Sequence, residues 1–268
     1  YPYEGGPLTD LTARRFAPST QAAFRGLFAN QAGAQDAFAA AAMVVAKQFK
    51  SNAGVFGYEV LNEPWAAVAG VPNYESAVLG LNTTVAAAIR LVDKKHFVAF
   101  EPDTIRNQLD QAVASGPFPD ERAIYAPHVY TDVFNGANGY ASGNPAELAA
   151  SMQHAAAEAT QLGTPLLVGE YGIDPTAVNA NKWITDELNL QDQYRASSTF
   201  WVWEEISSGH WGLYDGESSD PNGERIARTT ALSRPYARAV PGTVLEHSFD
   251  DAANTLRLRY QPQGHGKL

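Results

Sequence analysis

Carboxylates, an imidazole, a phenol and indoles stand in this chain directly after short apolar runs. The run ends read Leu61-Asn62-Glu63-Pro64-Trp65, Phe100-Glu101-Pro102-Asp103, Pro127-His128-Val129-Tyr130, Gly169-Glu170-Tyr171-Gly172 and Trp201-Val202-Trp203-Glu204-Glu205. Two of those carboxylates, Glu63 and Glu170, with the imidazole, phenol and indole of the other ends, make a set suited to glycoside hydrolysis. One carboxylic acid protonates the leaving oxygen, the other carboxylate attacks the anomeric carbon, and an aromatic ring supports the sugar. A separation of roughly 5 Å between such carboxyl groups gives retention and roughly 6.5 to 9.5 Å gives inversion; a sequence does not measure it. Each residue taken singly has a plainer reading. A Glu after a strand is usually a solvated loop residue, a lone His more often satisfies a core hydrogen bond, and Tyr130 or Trp201 alone more often packs in a core. Coincidence at five successive run ends is what points to a site.

Those positions acquire meaning from the elements between them. Apolar residues recurring at spacings of three and four mark helices. Phe38, Ala42, Val45 and Phe49 mark one, and Val78, Leu81, Val85, Ile89 and Val92 a second. A third opens at Asn144 as N-cap with Pro145 in the first helical position and stops at Gly163. Weaker patterns cover 178–195 and 226–232. Between them, the runs 55–61, 96–100, 123–126, 165–168 and 198–202 have the β-branched and aromatic character of buried parallel strands. Alternation of this kind predicts a parallel sheet with right-handed crossovers. Ligands bind at the carboxyl ends of such strands, which is where the polar run ends fall. Later, the alternating runs 244–249 and 255–260 flank 250–254 and predict a β-hairpin.

Composition narrows the chemistry further. The chain has 268 residues, 45% of them hydrophobic, and a net charge of −10, so it can form a sizeable core and is not disordered. A pI near 5.0 argues against nucleic acid as a partner, which needs a basic face, and no uncharged apolar run reaches the roughly 18 residues of an integral membrane segment. The absence of Cys removes disulfides, thiolate metal sites and a Cys nucleophile. The histidines, at 96, 128, 154, 210, 247 and 265, show no short ligand spacing for zinc. Neither a Gly-rich phosphate loop nor a Gly-x-Ser-x-Gly elbow follows a strand. No metal or other cofactor is expected.

Leu61-Asn62-Glu63-Pro64, His128-Val129-Tyr130, Val168-Gly169-Glu170-Tyr171 and Phe200-Trp201 together resemble the motifs of glycoside hydrolase family 5, in the order that strands 4, 6, 7 and 8 of its barrel require. That family consists of retaining (β/α)8-barrel enzymes. The resemblance implies that Glu63 is the acid/base and Glu170 the nucleophile. It implies that Asn62 binds the sugar 2-hydroxyl, Tyr130 hydrogen-bonds Glu170, His128 supports the site and Trp201 forms the sugar platform. Within the family the likeness is greatest to the endoglycoceramidases, on Trp211-Gly212-Leu213-Tyr214-Asp215 and on 234–242 leading into the β runs. Those enzymes cleave the bond between oligosaccharide and ceramide in glycosphingolipids and carry a β-sandwich after the barrel. The likeness implies a glycolipid or oligosaccharide substrate, transient contact with lipid surfaces, and secretion, with the signal peptide outside this chain. Trp65, Phe134, Tyr140 and Trp211 are candidates for an apolar rim.

Asn62-Glu63-Pro64 belongs at strand 4, yet residues 1–35 hold no strand-like run. The expected fold is therefore α/β: a partial (β/α)8 TIM barrel, strands 4 to 8 only, over residues 1–235, followed over 236–268 by the first hairpin of a C-terminal β-sandwich domain. Five strands do not close a barrel, so the expectation is a piece of a longer protein. Two other functions stay open on the sequence: a family 5 endoglucanase or other β-glycanase, and, from a different class, a non-catalytic carbohydrate-binding protein.

Overall fold

The computed structural model describes residues 14–110, 116–134, 138–205, 211–215 and 223–263. Of the stretch expected to hold no strand, residues 1–13 lie outside the described residues; residues 18–28 of it form a helix. Helices and strands alternate in the order α1 Pro18–Phe28, α2 Ala34–Phe49, β1 Gly57–Glu59, α3 Tyr74–Arg90, β2 Phe97–Phe100, α4 Thr104–Leu109, β3 Ala123–Tyr125, α5 Ala146–Leu162, β4 Leu167–Tyr171, α6 Ala180–Tyr194 and β5 Ser197–Phe200. Short strands β6 Glu204–Glu205 and β7 Tyr214–Asp215, helix α7 Ile226–Leu232, and strands β8 Gly242–Asp250 and β9 Thr255–Pro262 follow. The chain divides into two compact units, Tyr1–Pro127 with Ala157–Pro165, and His128–Ala156 with Leu166–Leu268.

In the first unit β1, β2 and β3 pair side by side and parallel, with Tyr58 opposite Val98 and Ala99 opposite Ile124. Val78, Leu81, Val85 and Ile89 of α3 are buried at the predicted spacing. Each contributes about 1.5 to 3 kcal/mol of burial, which is why this amphipathic segment is helical here. Phe100 stacks on Phe118 with ring centroids 4.1 Å apart. In the buried interior of this unit, Arg106 Nε donates to Glu158 Oε2 at 2.8 Å and Tyr125 Oη donates to the same oxygen at 2.7 Å. Helix α2 departs from its expected face. Ala39 and Ala46 are buried, whereas Val44, Val45 and Phe49 are 64%, 51% and 40% exposed. An alanine stripe lets the helix backbone come closest to its neighbour α3, and that close approach turns the bulkier residues outward.

In the second unit β4 and β5 pair parallel, and Val129 forms a parallel bridge with Tyr171. Strand β4 runs later than the apolar run predicts, through Glu170 to Tyr171. Ladder bonds come from the backbone and ignore side-chain polarity: Val129 N–H donates to Glu170 O and Trp201 N–H to Tyr171 O, each at 2.9 Å. Asn144 caps α5 by accepting from Ala146 N–H at 3.1 Å, and Gly163, at φ +69°, ends it, both as predicted. The core gathers Val129, Met152, Val168, Ile173, Trp183 and Ile184. Strands β8 and β9 form the predicted antiparallel hairpin. Its His247 meets Asp192 of α6 at 3.0 Å and accepts from Ala237 N–H at 3.2 Å, and Arg234 pairs with the same Asp192. Among the described residues no helix is long and apolar enough to cross a membrane.

Candidate functional site

Glu170 stands at the carboxyl end of β4 with its side chain 19% exposed. Tyr130 Oη donates to Glu170 Oε2 at 2.8 Å, and His128 Nδ1 lies 3.4 Å from the same oxygen. The strand pleat explains the convergence. His128 and Tyr130 are two apart in an extended segment and share a face, while Val129 between them points the other way and is fully buried. Because Val129 pairs across to Glu170 and Tyr171, both ring-bearing side chains reach the carboxylate.

Aromatic rings form one wall beside this group. Tyr130 meets Trp211 edge-on at 5.9 Å and Phe134 at 5.6 Å, and Phe134 lies 5.9 Å from Trp211. Phe134 is 60% exposed, so the wall opens to solvent. Trp201, 40% exposed, is drawn against β4 by its own N–H, and its bond to Val202 is cis. Gly172 allows that approach: a Cβ there would collide with the Trp201 carbonyl oxygen and lie 3.7 Å from the Trp211 ring. Tyr140, expected on the rim, is instead buried, with its hydroxyl on Asp186 Oδ2 at 3.0 Å. Burial, first, and then Asp186 push that phenol well above its ordinary range.

In the first unit, Glu63 is half-buried and Asn62 exposed. They follow the paired part of β1, whose ladder ends with Val60 N–H on Ala99 O at 3.0 Å. Glu63 adopts a left-handed backbone, φ 43°, which for a non-glycine costs about 1 to 3 kcal/mol. Neighbouring acids offset it. Glu101 Oε2 accepts from Glu63 N–H at 3.0 Å, and Asp103 accepts from Ala67 N–H at 2.9 Å and from Ile105 N–H at 3.1 Å. Thr104 N–H donates to Pro64 O at 2.8 Å. The carbonyl of Glu101 is itself held by Asn82 Nδ2 at 2.9 Å. Burial pushes the Asp103 carboxyl up against the pull of those backbone donors. Trp65 meets Phe16 edge-on at 5.2 Å.

The structure thus gathers His128, Tyr130 and Glu170 on one carboxylate oxygen, sets Trp201 on the neighbouring strand end, and holds Asn62 and Glu63 in a turn shaped by acids. Sequence reasoning placed Glu101 and Asp103 at a strand end without giving them a role; their signal was that position alone. It missed Arg225 and Arg228 entirely. Their guanidinium groups hold the segment that carries Trp211, through Gly212 O at 2.7 Å, Tyr214 O at 3.1 Å and Trp211 O at 2.8 Å. No motif marked them.

Comparison with known proteins bears on this arrangement. An endoglycoceramidase of Hydra vulgaris is 25% identical over 268 aligned residues, which cover 94% of this chain and 48% of that protein. The chain therefore spans about half the length of that relative. Among solved structures, endo-glycoceramidase II from Rhodococcus sp. in a cellobiose-like isofagomine complex superposes with a TM-score of 0.80 at 24% identity, over 96% of this chain and 58% of that one. The ganglioside GM3 complex of the same protein gives 0.77 at 23% identity, over 96% and 58%. These likenesses establish the fold as TIM-barrel-like α/β with parallel strands. Residues 20–207, the stretch holding Glu63, His128, Tyr130, Glu170 and Trp201, match the profile of cellulase (glycosyl hydrolase family 5), and the chain belongs to that family.

Proposed function

We propose that this chain carries the catalytic machinery of a retaining glycosidase that hydrolyses the β-glycosidic bond between oligosaccharide and ceramide in glycosphingolipids. Glu170 attacks the anomeric carbon while protonated Glu63 passes its proton to the departing ceramide oxygen, leaving a glycosyl ester on Glu170 and ceramide with its hydroxyl. Glu63, now a carboxylate, takes a proton from water, whose oxygen adds to the anomeric carbon and frees Glu170. Tyr130 and His128 hold Glu170 in line, Asn62 binds the 2-hydroxyl, and Trp201 supports the sugar ring. Phe134 and Trp211 give the aglycone an apolar wall. The strands of this chain correspond in this reading to strands 4 to 8 of a barrel, the hairpin begins a β-sandwich, and the whole protein is secreted and meets lipid surfaces transiently.

The observation that carries the reading is the 2.8 Å hydrogen bond from Tyr130 to a carboxylate at the carboxyl end of a parallel strand, in a chain similar to endoglycoceramidases over nearly its whole length. The test is to incubate the protein that carries this chain with a 2-deoxy-2-fluoro-β-lactosyl fluoride, whose anomeric fluorine leaves as fluoride ion when the attacking carboxylate bonds the anomeric carbon. A glycosyl mass on the peptide containing Glu170, together with release of oligosaccharide from a ganglioside, is the expected result. Turnover of carboxymethylcellulose without ganglioside would assign a β-glycanase instead, and sugar binding without label or turnover would refute the enzyme.

A further inference from the structure

Arg228 lies on α7, far along the chain from the residues on Glu170, and is 1% exposed. Burying a guanidinium costs several kcal/mol unless its environment compensates, and burial, with the nearby charge of Arg225, pushes its pKa down to about 10. Among the described residues Arg228 forms no ion pair. Its Nη1 donates instead to the main-chain carbonyl of Trp211 at 2.8 Å, and the guanidinium carbon sits 5.8 Å from the centre of the Phe200 ring. Arg225 completes the grip: its side chain takes Gly212 O and Tyr214 O, and its N–H takes Leu213 O at 2.9 Å. Four consecutive carbonyls, 211 to 214, therefore end on two arginines. From the other side Leu213 N–H and Tyr214 N–H donate to Val202 O and Trp203 O at 2.9 and 3.0 Å. A segment clamped this way has little freedom to slide, so the backbone of Trp211 sets where its ring stands.

That ring leans edge-on against Tyr130, whose hydroxyl donates to Glu170. We propose that Arg228 is a positioning residue for Glu170, acting through the Trp211 carbonyl and the Trp211–Tyr130 ring contact on the Tyr130–Glu170 hydrogen bond. The guanidinium matters here beyond its charge: a lysine ammonium in the same place keeps the charge but loses the planar group that sits by the Phe200 ring while Nη1 holds the Trp211 carbonyl. The inference rests on the reading of Glu170 as nucleophile, and its test separates the two.

In the protein that carries this chain, Arg228→Lys, Arg228→Met, Trp211→Ala and the double variant Arg228→Lys/Trp211→Ala are assayed on a dinitrophenyl β-lactoside, whose leaving group needs no proton from Glu63. Arg228→Lys is expected to lower kcat/KM about 10-fold, the scale of a small misplacement of a reacting group. It is also expected to move the acid limb of the pH profile upward, in the direction that Tyr130→Phe moves it, because a lost donor favours the protonated carboxyl. A fold defect would lower the amplitude and leave the limb in place. The double variant should be no slower than Trp211→Ala. An unmoved limb in Arg228→Lys, additive losses in the double variant, or a limb moved by Met and kept by Lys each overturns the proposal. If Arg228→Met does not fold, the Lys variant and the cycle decide alone. If the unmutated protein hydrolyses no aryl glycoside, the glycosidase reading fails and takes this inference with it; an active protein indifferent to Arg228 refutes only the inference.

Discussion

Replacing Glu187 by Gln should stabilise the protein most at alkaline pH and progressively less as the pH falls toward 4.5. Glu187 sits on α6, fully buried. Its Oε1 accepts from Gln191 Nε2 at 3.0 Å, and its Oε2 has no partner among the described residues. Burial pushes its carboxyl from an ordinary 4.5 up to about 7, against the smaller opposing pull of Gln191. The folded state therefore holds the proton more tightly than the unfolded state does. The contribution of Glu187 to stability is greatest below about pH 4.5, falls as pH rises from 4.5 toward 7, and stays low above 7. At about 1.4 kcal/mol per pH unit, the gap between 4.5 and about 7 corresponds to about 3 kcal/mol at pH 8.5. The same relation leaves about 1 kcal/mol at pH 5.5. Glutamine copies the protonated carboxyl in shape and in its hydrogen bond to Gln191. Urea unfolding of both proteins at pH 8.5 and pH 5.5 measures the difference, and the linkage predicts a gain for Glu187→Gln that shrinks by more than half between the two. A gain of equal size at both pH values, or a loss at pH 8.5, would show that Glu187 carries its charge in the core without penalty and refute the reasoning.

Two further outcomes test the site. Tyr130→Phe removes the 2.8 Å donor on Glu170; a hydrogen bond to a charged acceptor contributes about 1.5 to 3 kcal/mol, so kcat/KM on an aryl glycoside should fall by about one to two orders of magnitude, and steady-state kinetics showing less than a twofold change would remove Tyr130 from the reading. Glu101→Ala frees the Glu63 N–H and the strained turn it pins, which should depress turnover of substrates with poor leaving groups far more than of dinitrophenyl glycosides, a contrast read from the ratio of the two rates.

Much of the framework is legible in local residue patterns, and the reason differs element by element. The stripe Val78, Leu81, Val85 and Ile89 shows α3 plainly because its apolar residues face one core. The cap Asn144 and the stop Gly163 work through their own backbone neighbours, so they show α5 as plainly. The buried face of α2 is hidden in the sequence, because Ala39 and Ala46 win by being small at a close helix contact and not by being the most apolar residues there. Strand β4 runs past its apolar run because ladder bonds do not depend on side-chain type. Tyr140 reads as an exposed aromatic and is core, since only packing shows that its hydroxyl finds Asp186.

By itself the sequence determined the alternation of helix and parallel strand, the strand ends that bear Asn62, Glu63, His128, Tyr130, Glu170 and Trp201, and the family to which these motifs point. These follow from local periodicity and from residue types at fixed positions along the chain. The family resemblance already implied the Tyr130–Glu170 hydrogen bond; only the tertiary structure decided that His128 comes to the same oxygen, that Glu101 holds the turn of Glu63, and that Arg225 and Arg228 grip the segment carrying Trp211. Those contacts join residues from different elements of the chain, and their partners are chosen by burial: a donor or charge removed from water must find whatever acceptor the fold has brought within reach.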